Sequence, residues 1–403
     1  MKILVITDYL PYPLISGDRI RVYNLVRRIA DCHQVTLAGP IRSEEDLQSE
    51  KKLAEFCEQV ITGNLHMQHP LRHLPGLVRF ALDGLPLELK FLHSATLEAK
   101  IRKAAAEGGF DIVQVEHSRM AYYLRALPED LQRKSVLTLH NITYDQFGRI
   151  SQVELNPVQR FRASLYSRQM RDWEPRYAGR FARVVVVSRL DQEMVLELNP
   201  HLHTEVIPNG VDVQRYQPLP VQRDDPVMLF IGTMSYAPCV DGAIFFSQQV
   251  LPLIRKAIPN ARFLIVGADP DPEVRALESE AVEVTGRVPE IEPYYSRASI
   301  CVVPLRAGGG TRLKILEAMA FGRPVVSTSI GCEGLEVRDG QDLLVADEPE
   351  KIAAQVIRLL TDKDLYRQIA DEARKTVEAQ YDWDAIAGRL MDIYQELNPT
   401  RVA

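Results

Sequence analysis

Along the chain, short runs of aliphatic and β-branched residues alternate with longer stretches whose apolar positions recur every three or four residues. The short runs are apolar on both alternating positions, so they predict strands covered on both faces, and the amphipathic stretches predict the covering helices. In the first half the runs are KILVIT (2–7), QVTLAG (34–39), DIVQVEH (111–117), SVLTLHN (135–141) and RVVVVS (183–188). In the second half they are VMLFIGT (227–233), RFLIVGA (262–268), VEVTGR (282–287), ICVVPL (300–305), PVVSTS (324–329) and DLLVAD (342–347). Strands alternating with helices in this way form parallel sheets with crossover helices. The expected fold class is α/β, with two Rossmann-like, doubly wound parallel-sheet domains.

The pattern lapses once. EVIPNGVDVQRYQPLPVQRDDP carries an Asn-Gly turn and four prolines, with little periodicity. It predicts a linker at 208–226, between a first domain at 1–207 and a second at 227–382. After the helices expected over 349–380, YDWDAIAGRLMDIYQEL reads as a further helix within 383–403, returning to the first domain.

Composition narrows the class little: 403 residues, 46% apolar and 25% charged, describe a globular chain with room for two cores. Charge is more informative. Residues 1–222 hold 28 Lys+Arg and 26 Asp+Glu, leaving 20 and 28 for the remainder of the 48 and 54, so the second half is acidic. That balance argues against nucleic acid as a partner. Between Arg149 and Arg189 nine Arg stand against three acids, which suits either a helix near an anionic membrane or a solvated helix face. The stretch 66–95 mixes basic and apolar residues and suits a membrane-surface helix, a wall of an acceptor cleft or an ordinary core helix. Five scattered cysteines without a Cys-x-x-Cys pair indicate neither a disulfide framework nor a zinc site. No run of residues reaches membrane-spanning length by this reading, so a cytoplasmic protein is expected, at most peripheral on the inner face of the membrane.

In an open parallel sheet, ligands bind beyond the carboxyl ends of the strands. After ICVVPL comes RAGGGTRLKILEAMAFG: three glycines lead into a helix whose first turn carries Arg312 and Lys314, at the end where the backbone dipole is already positive. An anion relieves that repulsion, so Gly309, Gly310, Thr311, Arg312 and Lys314 form a candidate diphosphate cradle. Helical spacing puts Glu317 on the face of Lys314, where its carboxylate can accept from the paired hydroxyls of a ribose, or simply pair with Lys314. The glycines are followed by neither a Gly-Lys-Ser/Thr nor a dinucleotide fingerprint spacing. In the first half, Gly17 leads from a loop into a helix, and His140 and His117 close strands at their carboxyl ends. Each histidine suits a phosphate or sugar hydroxyl as well as a purely structural role.

IPNGVD, FIGT, FLIVG, VTGRVPEIEPYYSRASICVVPL and GGGTRLKILEAMAFGRPVVSTSIGCEGL, in this order, resemble the retaining glycosyltransferases of family 4. The resemblance implies two facing Rossmann-like domains (the GT-B fold) and transfer of a sugar from a nucleotide diphosphate sugar to a glycan, lipid-linked or other acceptor. It also implies no cofactor and no required metal. By it, Glu317 holds the ribose, Gly309 to Arg312 meet sugar and diphosphate, and His140 faces the reacting sugar. Gly17 would meet phosphate, Gly232 and Thr233 would line the donor site, and Val288 would lie against the base. Two departures stand out. The first carboxylate of the family's Glu-x7-Glu pair is replaced by Gly309, and the loop GTMSYAPCVDG lacks the family's Arg and Lys. Arg312 and Lys314 would take over, as in a subgroup with GGGTRxK linked to surface polysaccharides. A nucleotide-sugar epimerase and a non-catalytic nucleotide-sugar-binding protein are the alternatives.

Overall fold

The structure, a computed structural model, describes residues 1–42, 44–64, 85–86, 88–153, 156–220, 226–308 and 312–399. The chain forms two compact units. One contains residues 1–148, 161–208 and 384–403, the other 149–160 and 209–383.

The first unit is built on seven strands: β1 (Lys2–Ile6), β2 (Gln34–Ile41), β3 (Gln59–Asn64), β4 (Ile112–Glu116), β5 (Ser135–Leu139), β6 (Arg183–Val186) and β7 (Thr204–Val206). They pair in the order β3-β2-β1-β4-β5-β6-β7, all parallel. The second unit has β8 (Val227–Ile231), β9 (Arg262–Val266), β10 (Val282–Val284), β11 (Ile300–Val303), β12 (Val325–Ser327) and β13 (Leu344–Val345), in the order β10-β9-β8-β11-β12-β13, again parallel. Every strand expected from the apolar runs is present. The two missed, β3 and β7, lie at sheet edges, where one side of the ladder is open and a continuous apolar run is not required.

In both sheets the strand order reverses once, between β1 and β4 and between β8 and β11. At such a switch point the flanking loops diverge, and a crevice opens beyond the carboxyl ends of the two strands. The helices used below are α1 (Gly17–Ala30), α2 (Thr143–Val153), α3 (Pro157–Ala178), α4 (Ala237–Phe245), α5 (Leu313–Ala320), α6 (Pro349–Thr361), α7 (Lys363–Gln380) and α8 (Trp383–Leu397).

Within the first unit, α8 is fixed by the buried Tyr394 hydroxyl, which donates to Gln114 Oε1 at 3.1 Å. Arg21 of α1 is fully buried, and its two Nη atoms donate to the carbonyls of Ile207 (2.9 Å) and Pro208 (2.6 Å), just past β7. In the second unit, Asp362 caps α7 by accepting from the amides of Asp364 and Leu365. The helical stretch Ala237–Ala257 is long and apolar enough to cross a membrane by length and composition, contrary to the sequence reading. More than half of its most apolar window is buried, however, and Phe246 packs on Phe263 of β9 at 4.5 Å between ring centroids. It is a core helix of the second sheet.

Candidate active site

In the second unit, helix α5 brings a cation to the switch point. Helix α5 begins at Leu313, with Arg312 just before it in extended backbone and Lys314 in its first turn. Lys314 does not pair with Glu317. Its ammonium reaches to the carboxyl end of β8, 3.8 Å from Cys239 Sγ and 4.7 Å from the centre of the Phe230 ring. A Cβ placed on Gly232 would stand 2.9 Å from that nitrogen and 2.8 Å from Cys239 Sγ, so the glycine makes the room the lysine occupies. The loop after β8, without basic residues of its own, thus receives a cation from α5. Burial holds the pKa of Lys314 below its ordinary value.

Lys314 is half-buried; Arg312 is buried, and burial lowers its pKa. Its Nη2 lies 3.1 Å from where a Cβ on Gly308 would be, in a turn whose φ of +110° suits glycine. Glu317 is buried, and loss of hydration pushes its carboxyl up to about 7. Its Oε2 accepts a long bond from the Tyr295 hydroxyl, at 3.4 Å. Thr233 is exposed in the loop after β8, and Val288 is half-buried in the loop after β10. Gly309, Gly310 and Thr311 lie outside the described residues, as do most of 66–95 and residues 221–225 of the expected linker.

The first unit has its own cluster at its switch point. Asp8, fully buried just past β1, pairs with Arg119. His117, just past β4, takes a φ of +71°, a backbone region seldom occupied by residues other than glycine. Its ring lies between carboxylates, with Nδ1 3.4 Å from Asp8 Oδ1 and Nε2 3.6 Å from Asp18 Oδ2, and the Tyr9 hydroxyl is 3.1 Å from Nε2. His140 stacks on His117 with centroids 3.9 Å apart and planes 6° from parallel. Its Nε2 is 2.6 Å from Glu116 Oε2.

Burial, then the neighbouring His117, lower the His140 pKa to about 4, so its ring is neutral at pH 7. Burial alone would raise Glu116, but the hydrogen bond from His140 and the nearby Arg21 guanidinium outweigh it and hold its carboxyl below the ordinary value. Glu116 therefore fixes the tautomer, with the proton of His140 on Nε2 and a lone pair on Nδ1. Glu174 of α3 ties the two histidine-bearing loops together. It accepts from the Thr143 amide (3.0 Å) and hydroxyl (2.5 Å), and Thr143 Oγ1 lies 3.1 Å from Ser118 Oγ.

Gly17 is the first residue of α1 and is exposed, but that helix end already carries a carboxylate. Asp18 accepts from the Arg19 amide at 3.0 Å and from Ser16 Oγ. Burial would raise its pKa, yet the hydrogen bond and charge of His117 dominate and hold it well below the usual carboxylate range. A phosphate drawn to Gly17 would have this negative neighbour, which weakens the pull of the helix end. Sequence reasoning passed over Asp8, Asp18, Arg119, Glu116 and Glu174. The one signal for them was position, since Asp8, Glu116 and Arg119 lie within three residues of predicted strand ends.

Comparison with known proteins speaks to the family and the fold. A family model described as Glycosyltransferase Family 4 matches residues 15–215, and one described as Glycosyl transferases group 1 matches residues 225–362. A GDP-mannose-dependent α-(1-6)-phosphatidylinositol monomannoside mannosyltransferase of Mycobacterium tuberculosis is 29% identical over 215 residues, covering 48% of this chain and 56% of that enzyme. A putative teichuronic acid biosynthesis glycosyltransferase of Bacillus subtilis, TuaC, is 24% identical over the full length of both chains. Among solved structures, Anabaena HepE in complex with UDP-glucose superposes with a TM-score of 0.68 at 18% identity, covering 98% of this chain and all of that one. With a family match on each unit and two parallel-sheet domains of the GT-B kind, the chain belongs to the group 1, family 4 glycosyltransferases.

Proposed function

We propose that this glycosyltransferase retains anomeric configuration and moves a sugar from a nucleotide diphosphate sugar to a glycan or lipid-linked acceptor, in surface polysaccharide or glycoconjugate biosynthesis. The observation that carries the reading is the position of the Lys314 ammonium at the end of β8 beside Gly232, with Glu317 one turn further along the same helix. In this reading Lys314 and Arg312 neutralise the diphosphate as it leaves, the largest electrostatic demand of the reaction. Glu317, ionised on binding, accepts from the ribose hydroxyls, and Val288 borders the base. The bond from the anomeric carbon to the phosphate oxygen breaks. A bond from the acceptor oxygen to that carbon forms on the same face, and the acceptor proton passes to the departing phosphate.

The first unit takes the acceptor side, with His117 and the neutral His140 offered to sugar hydroxyls. The names of relatives support the donor and acceptor classes: one uses GDP-mannose, another is a putative teichuronic acid enzyme, and a structural neighbour was solved with UDP-glucose. Such a donor places the reaction in the cytoplasm. A panel of nucleoside diphosphates and their sugars, read by thermal shift, tests the donor assignment. A ligand at about 100 times its Kd adds about 2.7 kcal/mol of stability. If neither UDP, GDP nor any nucleotide sugar shifts the unfolding transition, the reading fails. If a nucleotide sugar binds and is epimerised without an acceptor, or is never turned over, the enzyme is not a transferase of this kind.

A further inference from the structure

Helix α3 turns one face into the first unit, burying Ala163, Tyr166, Met170 and Trp173. Its opposite face is unusual. Phe161 is 69% exposed, Val158 68% and Leu165 40%, and these three are among only five large apolar side chains exposed among the described residues. At spacings of three and four residues they form one stripe along the outer side of a single continuous helix. From Pro157 to Arg171 this helix has four arginines (Arg160, Arg162, Arg168 and Arg171) and no acid, and all four are exposed. Arg162 keeps a solvent-exposed ion pair with Glu88 at 2.9 Å.

Isolated exposed apolar residues are ordinary, but a helical stripe of them flanked by guanidinium groups is not. The partner it fits is apolar below and anionic above. A second copy of the chain would bring eight arginines together across a two-fold axis, where like charges repel. An anionic bilayer meets both demands. We propose that the first half of α3 is a membrane-docking face, in which Val158, Phe161 and Leu165 enter the boundary between headgroups and acyl chains. The flanking arginines extend along their own stems to the lipid phosphates. This inference stands apart from the donor and the chemistry proposed above, and it would survive their failure.

Flotation of the full chain with vesicles tests it. Vesicles of phosphatidylcholine with about 30% phosphatidylglycerol should carry the protein upward at low salt and release it as salt rises. Vesicles of phosphatidylcholine alone should leave it behind. Replacing Phe161→Ser with Leu165→Ser should lower partitioning by about tenfold or more while leaving the unfolding temperature unchanged. Phe161→Trp, a second variant, should shift its emission to the blue on addition of the anionic vesicles alone. Wild type that stays in the aqueous layer with both vesicles, or a double variant that floats as wild type does, overturns the proposal. So does a concentration-dependent dimer in sedimentation that the double variant abolishes, because the face would then belong to a second copy.

Discussion

The two units place charges at the same point of the same kind of sheet and treat them in opposite ways. In the first, the charged groups around the two histidines have close partners within the unit: Asp8 pairs with Arg119, Glu116 accepts from His140 at 2.6 Å, and Asp18 lies 3.6 Å from His117. In the second, Lys314 rests on a thiol and an aromatic face, and Glu317 on one long hydroxyl contact. Lys314 and Glu317 attract each other without forming an ion pair, so burial of the two is only partly compensated, and incomplete compensation is costly. The charges around the two histidines are thus largely compensated within the first unit, and on the proposed reading its neutral imidazole faces sugar hydroxyls. On the proposed reading, the anion and the diol of the donor complete the second. Removing one group should therefore disturb structure in the first unit and ligand binding in the second.

The largest effect is expected at Lys314. Lys314→Ala should lower donor turnover by about 100- to 1,000-fold, the range for losing one preorganised charge at a leaving group. Its unfolding temperature in the absence of nucleotide should hold or rise, because a half-buried cation with no ion-pair partner has been removed. Steady-state kinetics beside calorimetry decide the matter. Turnover within a few-fold of wild type would end the role given to Lys314. A large fall in ligand-free stability would show that the second unit is as closed as the first.

Titration should separate the units next, with opposite slopes. His140 has its folded pKa lowered to about 4 from 6.5, so the unfolded chain binds its proton first. Stability from this group is full above pH 6.5 and is lost as pH falls towards 4. Glu317 has its folded pKa raised to about 7 from 4.5, so its stability is full below 4.5 and is lost as pH rises through 7. Each shift corresponds to about 3 kcal/mol as an upper bound. Between pH 5 and 8, Glu317→Gln should gain stability relative to wild type as pH rises. His140→Gln should lose its advantage over the same range. Calorimetry of both variants at several pH values reads these slopes, and parallel slopes would erase the contrast.

How much of this was legible beforehand follows the same division. The strands were readable because burial on both faces demands uninterrupted apolar runs, as in VMLFIGT, whereas QVITGN of β3 serves an edge and carries no such mark. Arg312 and Lys314 stand out by breaking a local rule, cations at the positive end of a helix, and Glu317 by its helical spacing from Lys314; broken rules tend to mark ligand sites. Asp8, Asp18 and Glu116 broke none. Each is ordinary near a strand or helix end, and only the sheet order β1-β4-β5 brings them to Arg119 and the two histidines. On its own residues His117 stands level with His140, and only the family resemblance favours His140. The left-handed backbone of His117 and the carboxylates on both sides of its ring are properties of tertiary structure, with no trace in VEHS.

A smaller effect is expected from Gly232→Ala, where the added Cβ would meet the Lys314 ammonium at 2.9 Å and Cys239 Sγ at 2.8 Å. Both neighbours are side chains. Lys314 is long and can withdraw, so the fold should survive with a loss of about 1 kcal/mol or less. The displaced charge is the functional cost, and donor binding should weaken about tenfold, measurable by titration calorimetry. Unchanged affinity would mean that the diphosphate does not meet Lys314 where this structure holds it.

The smallest change expected, Tyr295→Phe, probes the contrast most finely. The Tyr295 hydroxyl lies 3.4 Å from Glu317 Oε2 and 3.4 Å from the Lys314 carbonyl, both at the outer limit of a hydrogen bond. Bonds of that length contribute at the low end of the usual 0.5–1.5 kcal/mol, so nucleotide affinity should move only about two- to three-fold. The corresponding cut in the first unit, Glu116→Gln, removes the charge from a 2.6 Å contact and should cost several times more in stability. Were Tyr295→Phe to weaken nucleotide binding beyond about tenfold, Glu317 would be aimed by its own unit before any ligand arrives. The second site would then be preorganised like the first, and the difference between the units would lie in which ligand each awaits.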